Sequence, residues 1–310
     1  MSVFVVAEAG SNWYAGENGP WTRGDEHGVS SGHISGEGYR RRLMRAMELI
    51  ECAAAAGVDA CKFQLFRADD LYPKDSEHWH TVKPLEMPLE WLPILSAECQ
   101  NRGIEFMCSA FSEAMVDAVD PWVKRHKIAS LEATDKSLIR HVVSKGKPII
   151  LSTGALDSAQ MHDLRFEEMP SGNGTALGMD YSRVVPTTLM HCTTAYPCPP
   201  DEANLLALYF HDEMGRDCDG LSDHTLDPVV APVLAVALGA TVIEKHFTLS
   251  RQLVGPDHAY AITPPELSEL VRCVRLAERM LGDGVKRVQN SELVWRKFQH
   301  QDGGLRGEGK

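Results

Sequence analysis

Short apolar or β-branched runs recur along the chain, at VFVVAE (3–8), ACKFQL (60–65), IEFMCS (104–109), HKIAS (126–130), PIILST (148–153), TTLMHC (187–192), GLSDH (220–224) and TVIEKH (241–246). Helical patterns separate them. In 39–56, Leu43, Met47, Ile50 and Ala54 fall at helical spacing and Gly57 supplies a C-terminal stop. Gly103, Gly146, Gly239 and Gly282 punctuate other helix ends. Eight strand–helix units within about 250 residues predict an α/β protein built as a (β/α)8 TIM barrel. An open doubly wound sheet has fewer repeats and a glycine-rich phosphate turn after its first strand, whereas the first turn here, AEAGSN, has no G-x-G-x-x-G.

Polar residues gather at the ends of these strands. Glu8, Lys62, Gln64, Ser109, Lys127, Ser130, Ser152, Thr153, His191, Asp223, His224, Glu244 and His246 all sit at or just past the C-terminal ends. In a barrel that face carries the active site. Thirteen polar strand ends over eight strands exceed what hydrogen bonding within the wall calls for.

Composition narrows the class. The 310 residues are 44% hydrophobic, enough for a large core, and carry a formal net charge of −12. That charge argues against nucleic acid or an anionic membrane as partner and leaves room for a local cationic pocket taking a small anion. The N-terminus MSVFVVAEAGSNW reaches Glu8 without a cationic leader, and no apolar run approaches a membrane span, so a cytoplasmic location is expected. The eight cysteines (52, 61, 99, 108, 192, 198, 218, 273) include no C-x-x-C pair and suit reduced, packed thiols.

His191 and His224, on neighbouring predicted strands, bring two imidazoles toward one divalent ion and leave positions for water and a substrate oxygen. Cys192, next to His191, is expected to point out of the barrel. Lys62 and Lys127, with the hydroxyls of Ser109, Ser130, Ser152 and Thr153, form a donor-rich ring for phosphate and carboxylate. Glu8, Asp223 and Glu244 are candidate bases.

The ordered segments AEAGSN, GVDACKFQLF, FMCSAFS, HKIAS, LSTG, LMHCTTAYPCP, GLSDHT, ALGATVIEKHFTL and GPDHA together resemble the sialic acid synthase family over roughly residues 3–285. The resemblance implies condensation of phosphoenolpyruvate with an N-acylated aldose, such as N-acetylmannosamine, to a nonulosonic acid and phosphate. It implies a divalent metal, Mn2+ or Mg2+, on His191 and His224. Lys62, Ser109, Lys127, Ser130 and Ser152 would hold phosphoenolpyruvate, with Lys62, Lys127, Glu8 and Asp223 doing the catalytic work. Gln64, Glu132, Tyr196 and Asp223 would face the sugar. A homodimer is implied as well. The competing readings are condensation with a sugar phosphate, which needs a second phosphate clamp, and a catalytically silent barrel.

The chain departs from the family in three places. Asn12-Trp13 stands where members read Asn-His. A glycine-rich insertion, 14–38, with His27 and His33, follows the first strand, where it is expected to lie over the active-site mouth, and Ala129 and Leu131 replace glycines around Ser130. Residues 1–285 are expected to form the barrel and 286–310 a helix with a frayed tail, without the C-terminal antifreeze-like domain that many members carry.

Overall fold

A computed structural model describes residues 2–15, 37–157, 159–161, 185–208, 211–212, 215–216, 218–296 and 298–299. Eight parallel strands close a barrel: β1 (Phe4–Gly10), β2 (Ala60–Leu65), β3 (Glu105–Ala110), β4 (His126–Ile128), β5 (Ile149–Ser152), β6 (Thr187–His191), β7 (Gly220–Asp223) and β8 (Val242–His246). Each strand pairs with its neighbours in sequence, and β8 closes on β1. All eight predicted strands are present, so the (β/α)8 expectation holds. A short antiparallel pair, His211–Asp212 with Gly215–Arg216, lies between β6 and β7.

Strand alternation divides the side chains into two layers. Outside, a large core forms between strands and helices; Ala46, Leu49, Ile50 and Ala53 of the helix Glu37–Ala56 are fully buried in it. That helix stops at Gly57, whose φ of +84° is the left-handed conformation that glycine adopts without strain. Inside, Phe4, Val6, Ala60, Met107, Ile150, Met190 and Val242 plug the lower lumen, and the Arg125 guanidinium lies 4.4 Å over the Phe4 ring. The same alternation sends the next lumen-facing residues toward the C-terminal mouth, in the layered arrangement of such barrels.

Trp13 turns away from the lumen. It is fully buried and packs edge-to-face on Trp91, with ring centroids 5.1 Å apart, while the Asn12 amide donates to the Phe247 carbonyl at 2.8 Å. Leu131 is 67% exposed and so adds no bulk inside the barrel. Residues 16–36 of the expected insertion, including His27 and His33, lie outside the described residues.

The chain divides into two compact units, Met1–Glu278 with the barrel and Arg279–Lys310, in which a turn at Asn290–Glu292 leads into a short helix at Leu293–Arg296. Among the described residues no helix is long and apolar enough to cross a membrane.

Gly220 lies in the lumen layer beside Val242 and Met190, and a Cβ there would sit 2.8 Å from the Val242 carbonyl oxygen. Gly220→Ala is expected to lower stability by about 1–3 kcal/mol in chemical denaturation. Gly38→Ala, which meets open space, serves as the control and is expected to match or exceed the parent; equal curves for all three proteins would contradict the close approach at Gly220.

Candidate active site

Above the apolar plug the lumen becomes charged. Lys62 Nζ lies 2.6 Å from Glu8 Oε2 and 3.6 Å from Glu244 Oε2, and donates to Ser109 Oγ at 3.0 Å. Lys127 Nζ donates to Ser152 Oγ at 2.7 Å and to the Ile128 carbonyl at 3.0 Å, and stands 4.0 Å from Glu244 Oε1. Gln64 donates to Glu8 Oε1 at 3.0 Å and Ser222 to Glu244 Oε1 at 3.1 Å. Two lysines and two glutamates thus form one buried network in which every charged group has an opposite partner.

Burial, reinforced by the Glu244 charge and opposed by Lys62, pushes Glu8 up to about 7. For Glu244, burial is outweighed by Lys127 and Lys62, which hold its carboxyl below the usual range. Burial lowers the Lys127 ammonium despite the attraction of Glu244, whereas for Lys62 the two carboxylates overcome burial and raise it.

Nearer the mouth, His224 and His246 face each other with ring centroids 5.5 Å apart. His224 Nδ1 donates to the Thr193 carbonyl at 2.7 Å, which fixes the tautomer and leaves Nε2 with its lone pair. His246 Nδ1 is buried without a hydrogen-bond partner and lies 3.9 Å from Asp257 Oδ2. Burial lowers both imidazoles, keeping them neutral, the form that ligates metals. Tyr196 lies over His224, with centroids 4.2 Å apart.

The remaining expected residues fall around this column. Ser130 Oγ accepts from the Gly154 amide at 3.2 Å and lies 3.0 Å from Cys192 Sγ. Glu132 follows in the same turn; burial pushes its carboxyl up to about 7, and its Oε2 has no hydrogen-bond partner. Gly154 leaves room for this group, since a Cβ there would lie 2.1 Å from Thr194 Oγ1 and 2.7 Å from Cys192 Sγ.

Three expectations are corrected. His191 does not face the lumen: it follows Met190 of the lumen plug and pairs in register with Leu221 of the outer core, and its Nε2 donates to the Ala203 carbonyl at 2.8 Å. The imidazole beside His224 is His246. Cys192, for the same reason, points inward to Ser130. Asp223 belongs to the outer layer as well: it forms a buried ion pair with Lys245, accepts from the Thr225 amide at 2.8 Å, and so holds the barrel wall together instead of acting as a base. Asp257 and Tyr260, both near the mouth, had no assigned role from sequence.

The NeuB family profile matches residues 49–286. The chain belongs to the NeuB family. The N,N'-diacetyllegionaminic acid synthase of Legionella pneumophila is 35% identical over 308 residues, covering 94% of this chain and 77% of that protein. The enzyme of the same name from Campylobacter jejuni is 32% identical over 273 residues, covering 83% of this chain and 79% of that protein. Among solved structures, the N-acetylneuraminic acid synthetase of Leptospira borgpetersenii superposes with a TM-score of 0.76 at 27% identity, covering 95% of this chain and 90% of that one. The resemblance to the sialic acid synthases read from the motifs is therefore correct.

Asp223→Ala leaves Lys245 buried without its partner and is expected to cost about 3–5 kcal/mol of stability. Per folded molecule, turnover is expected to persist. A stable Asp223→Ala protein with selectively lost turnover would return Asp223 to the catalytic set.

Proposed function

We propose that this NeuB-family protein condenses phosphoenolpyruvate with an N-acylated aldose to give a nonulosonic acid and inorganic phosphate. One observation carries the reading: two buried lysines, each already hydrogen-bonded to a lumen serine, lie directly below a pair of neutral histidines. The names of the relatives support the same class of product.

Lys62 and Lys127, with Ser109, Ser152 and Ser130, hold the phosphate and carboxylate of phosphoenolpyruvate; charge-assisted bonds from donors fixed beforehand reorganise little when the anion enters. Gln64, Glu132, Tyr196 and Asp257 line the side toward the mouth, where the aldose lies. The methylene carbon of phosphoenolpyruvate attacks the aldehyde carbon, forming the new C–C bond, and the aldehyde oxygen takes up a proton. Water then adds to the adjacent phosphate-bearing carbon, which that attack leaves cationic. Glu8, held by Lys62 and Gln64, is the carboxylate placed to take that water's proton, and C–O cleavage expels phosphate. Holding both substrates in one narrow lumen converts an encounter into an oriented pair.

The donor set fits a divalent cation. His246 Nδ1 has no hydrogen-bond partner and His224 Nε2 has only a long 3.5 Å contact with Ser222 Oγ, both on neutral, buried imidazoles, and two such donors leave the other positions to water and substrate oxygens. Among the described residues no cluster of three or more His, Cys, Asp or Glu offers a fuller cage. Mn2+ or Mg2+ held there supplies Lewis-acid polarisation of the aldose carbonyl when bound.

Phosphate release from phosphoenolpyruvate is expected only with an N-acyl hexose and a divalent cation, and is expected to stop on chelation with EDTA and return with Mn2+. Release without an aldose, or with every aldose alike, would overturn the condensation reading. Independently of turnover, Mn2+ binding followed by electron paramagnetic resonance is expected to be lost in His224→Ala and His246→Ala and kept in His191→Ala. Loss in His191→Ala alone would restore the sequence-based pair.

A further inference from the structure

The segment after β8 is drawn back over the barrel mouth. The Ile262 amide donates to the His246 carbonyl and the Thr248 amide to the Ile262 carbonyl, both at 2.9 Å, so the chain returns alongside the strand it has just left. Arg251 clamps the return, donating to the Ala261 carbonyl at 3.0 Å and to both Glu266 oxygens at 3.0 and 2.8 Å. His258 fixes the other side through the Tyr14 carbonyl at 2.8 Å. These bonds belong to the backbone frame, and they deliver two side chains, Asp257 and Tyr260, above the histidine pair.

Within that frame the Tyr260 hydroxyl donates to Asp257 Oδ1 at 2.5 Å. The Tyr260 ring lies 5.2 Å from the His246 ring and 5.2 Å from the Tyr196 ring. Asp257 Oδ2 is aimed the other way, near Gly10, where an added Cβ would lie 3.2 Å from both Asp257 Oδ2 and Glu8 Oε1 and 3.4 Å from Gln64 Nε2. One carboxylate oxygen is occupied by a phenol and the other faces the lumen, so the side chain has a single orientation and a single oxygen on offer.

We propose that Tyr260 is a positioning residue that sets acceptor selection. Resting on the condensation reading above, its hydroxyl locks Asp257 so that Oδ2 alone meets a hydroxyl or amide N–H of the aldose, and its ring with Tyr196 forms the aromatic wall beside it. Tyr260 touches neither the lysines nor the serines that hold phosphoenolpyruvate, so its influence falls on one substrate.

The test is steady-state kinetics of the full chain with Mn2+, phosphoenolpyruvate, and N-acetylmannosamine or a diacetamido hexose as probe, with calorimetric titration of the same sugars. Tyr260→Phe is expected to raise the KM for the aldose about fivefold or more while the KM for phosphoenolpyruvate stays within about twofold. Asp257→Asn is expected to weaken the aldose likewise, and Tyr260→Phe added to it to cost nothing further, because the two act through one contact. An unchanged aldose KM in Tyr260→Phe, an equal rise for both substrates, or full additivity with Asp257→Asn each overturns the assignment. A parent protein that binds the sugar but releases no phosphate sinks the condensation reading, and the calorimetric affinities then judge Tyr260. A parent that neither binds nor turns over any aldose overturns both.

Discussion

Everything in this protein depends on the closure of the eight-stranded ring. With β8 paired to β1, every strand has two hydrogen-bonded neighbours, and the register of one is constrained by all the others. A slip by one residue would exchange the faces of a strand; in β2 it would turn Lys62 into the apolar outer layer and bring Cys61 and Phe63 inward. The charges enforce the same register in return, since Lys62 removed from Glu8 and Glu244 would be a buried unpaired ammonium, a penalty of several kcal/mol. Backbone closure and lumen charge therefore specify each other.

The charge network gives little stability over a well-packed apolar lumen, because desolvating its ionised groups offsets most of their attraction. Its value lies in exchange. The Lys62 and Lys127 ammoniums are tied to serine hydroxyls and carboxylates that an arriving phosphate or carboxylate can supplement or replace without stranding a charge. The two glutamates are also driven apart: Glu8 toward neutrality near pH 7 and Glu244 toward ionisation. Two chemically similar acids on adjacent strands thus take different tasks, one able to accept a proton and one holding the lysines in place.

The fold was legible because eight short runs separated by glycine-stopped helices leave few alternatives for a chain of this length, and the lumen lysines were legible because Lys62 and Lys127 interrupt otherwise apolar runs. Orientation was harder to read. Parallel barrel strands are buried on both faces, so TTLMHC shows no alternation to say whether His191 or Cys192 looks inward. The available signal was phase between strands: 220, 222, 224 on β7 and 242, 244, 246 on β8 put glycine or valine, then serine or glutamate, then histidine on one face. Counting both strands together selects His224 and His246. Asp257 and Tyr260 carried no such signal, since their place over the mouth is set by the Ile262 and Arg251 bonds, which join residues by tertiary contact and not by period.

The wall of β7 and β8 shows how far residue type falls short of role. Lys245 and Asp223 form a buried lysine–carboxylate pair between adjacent strands, as Lys62 and Glu8 do between β1 and β2. Lys245 and Asp223 lie in the outer layer, where both are buried and the pair, tied to Thr225, braces the wall. Lys62 and Glu8 lie in the lumen, where the apolar plug ends and the mouth opens to incoming anions. Composition, burial and partner chemistry are nearly the same in the two pairs; a single step of strand alternation separates a brace within the wall from a charge pair exposed to the lumen.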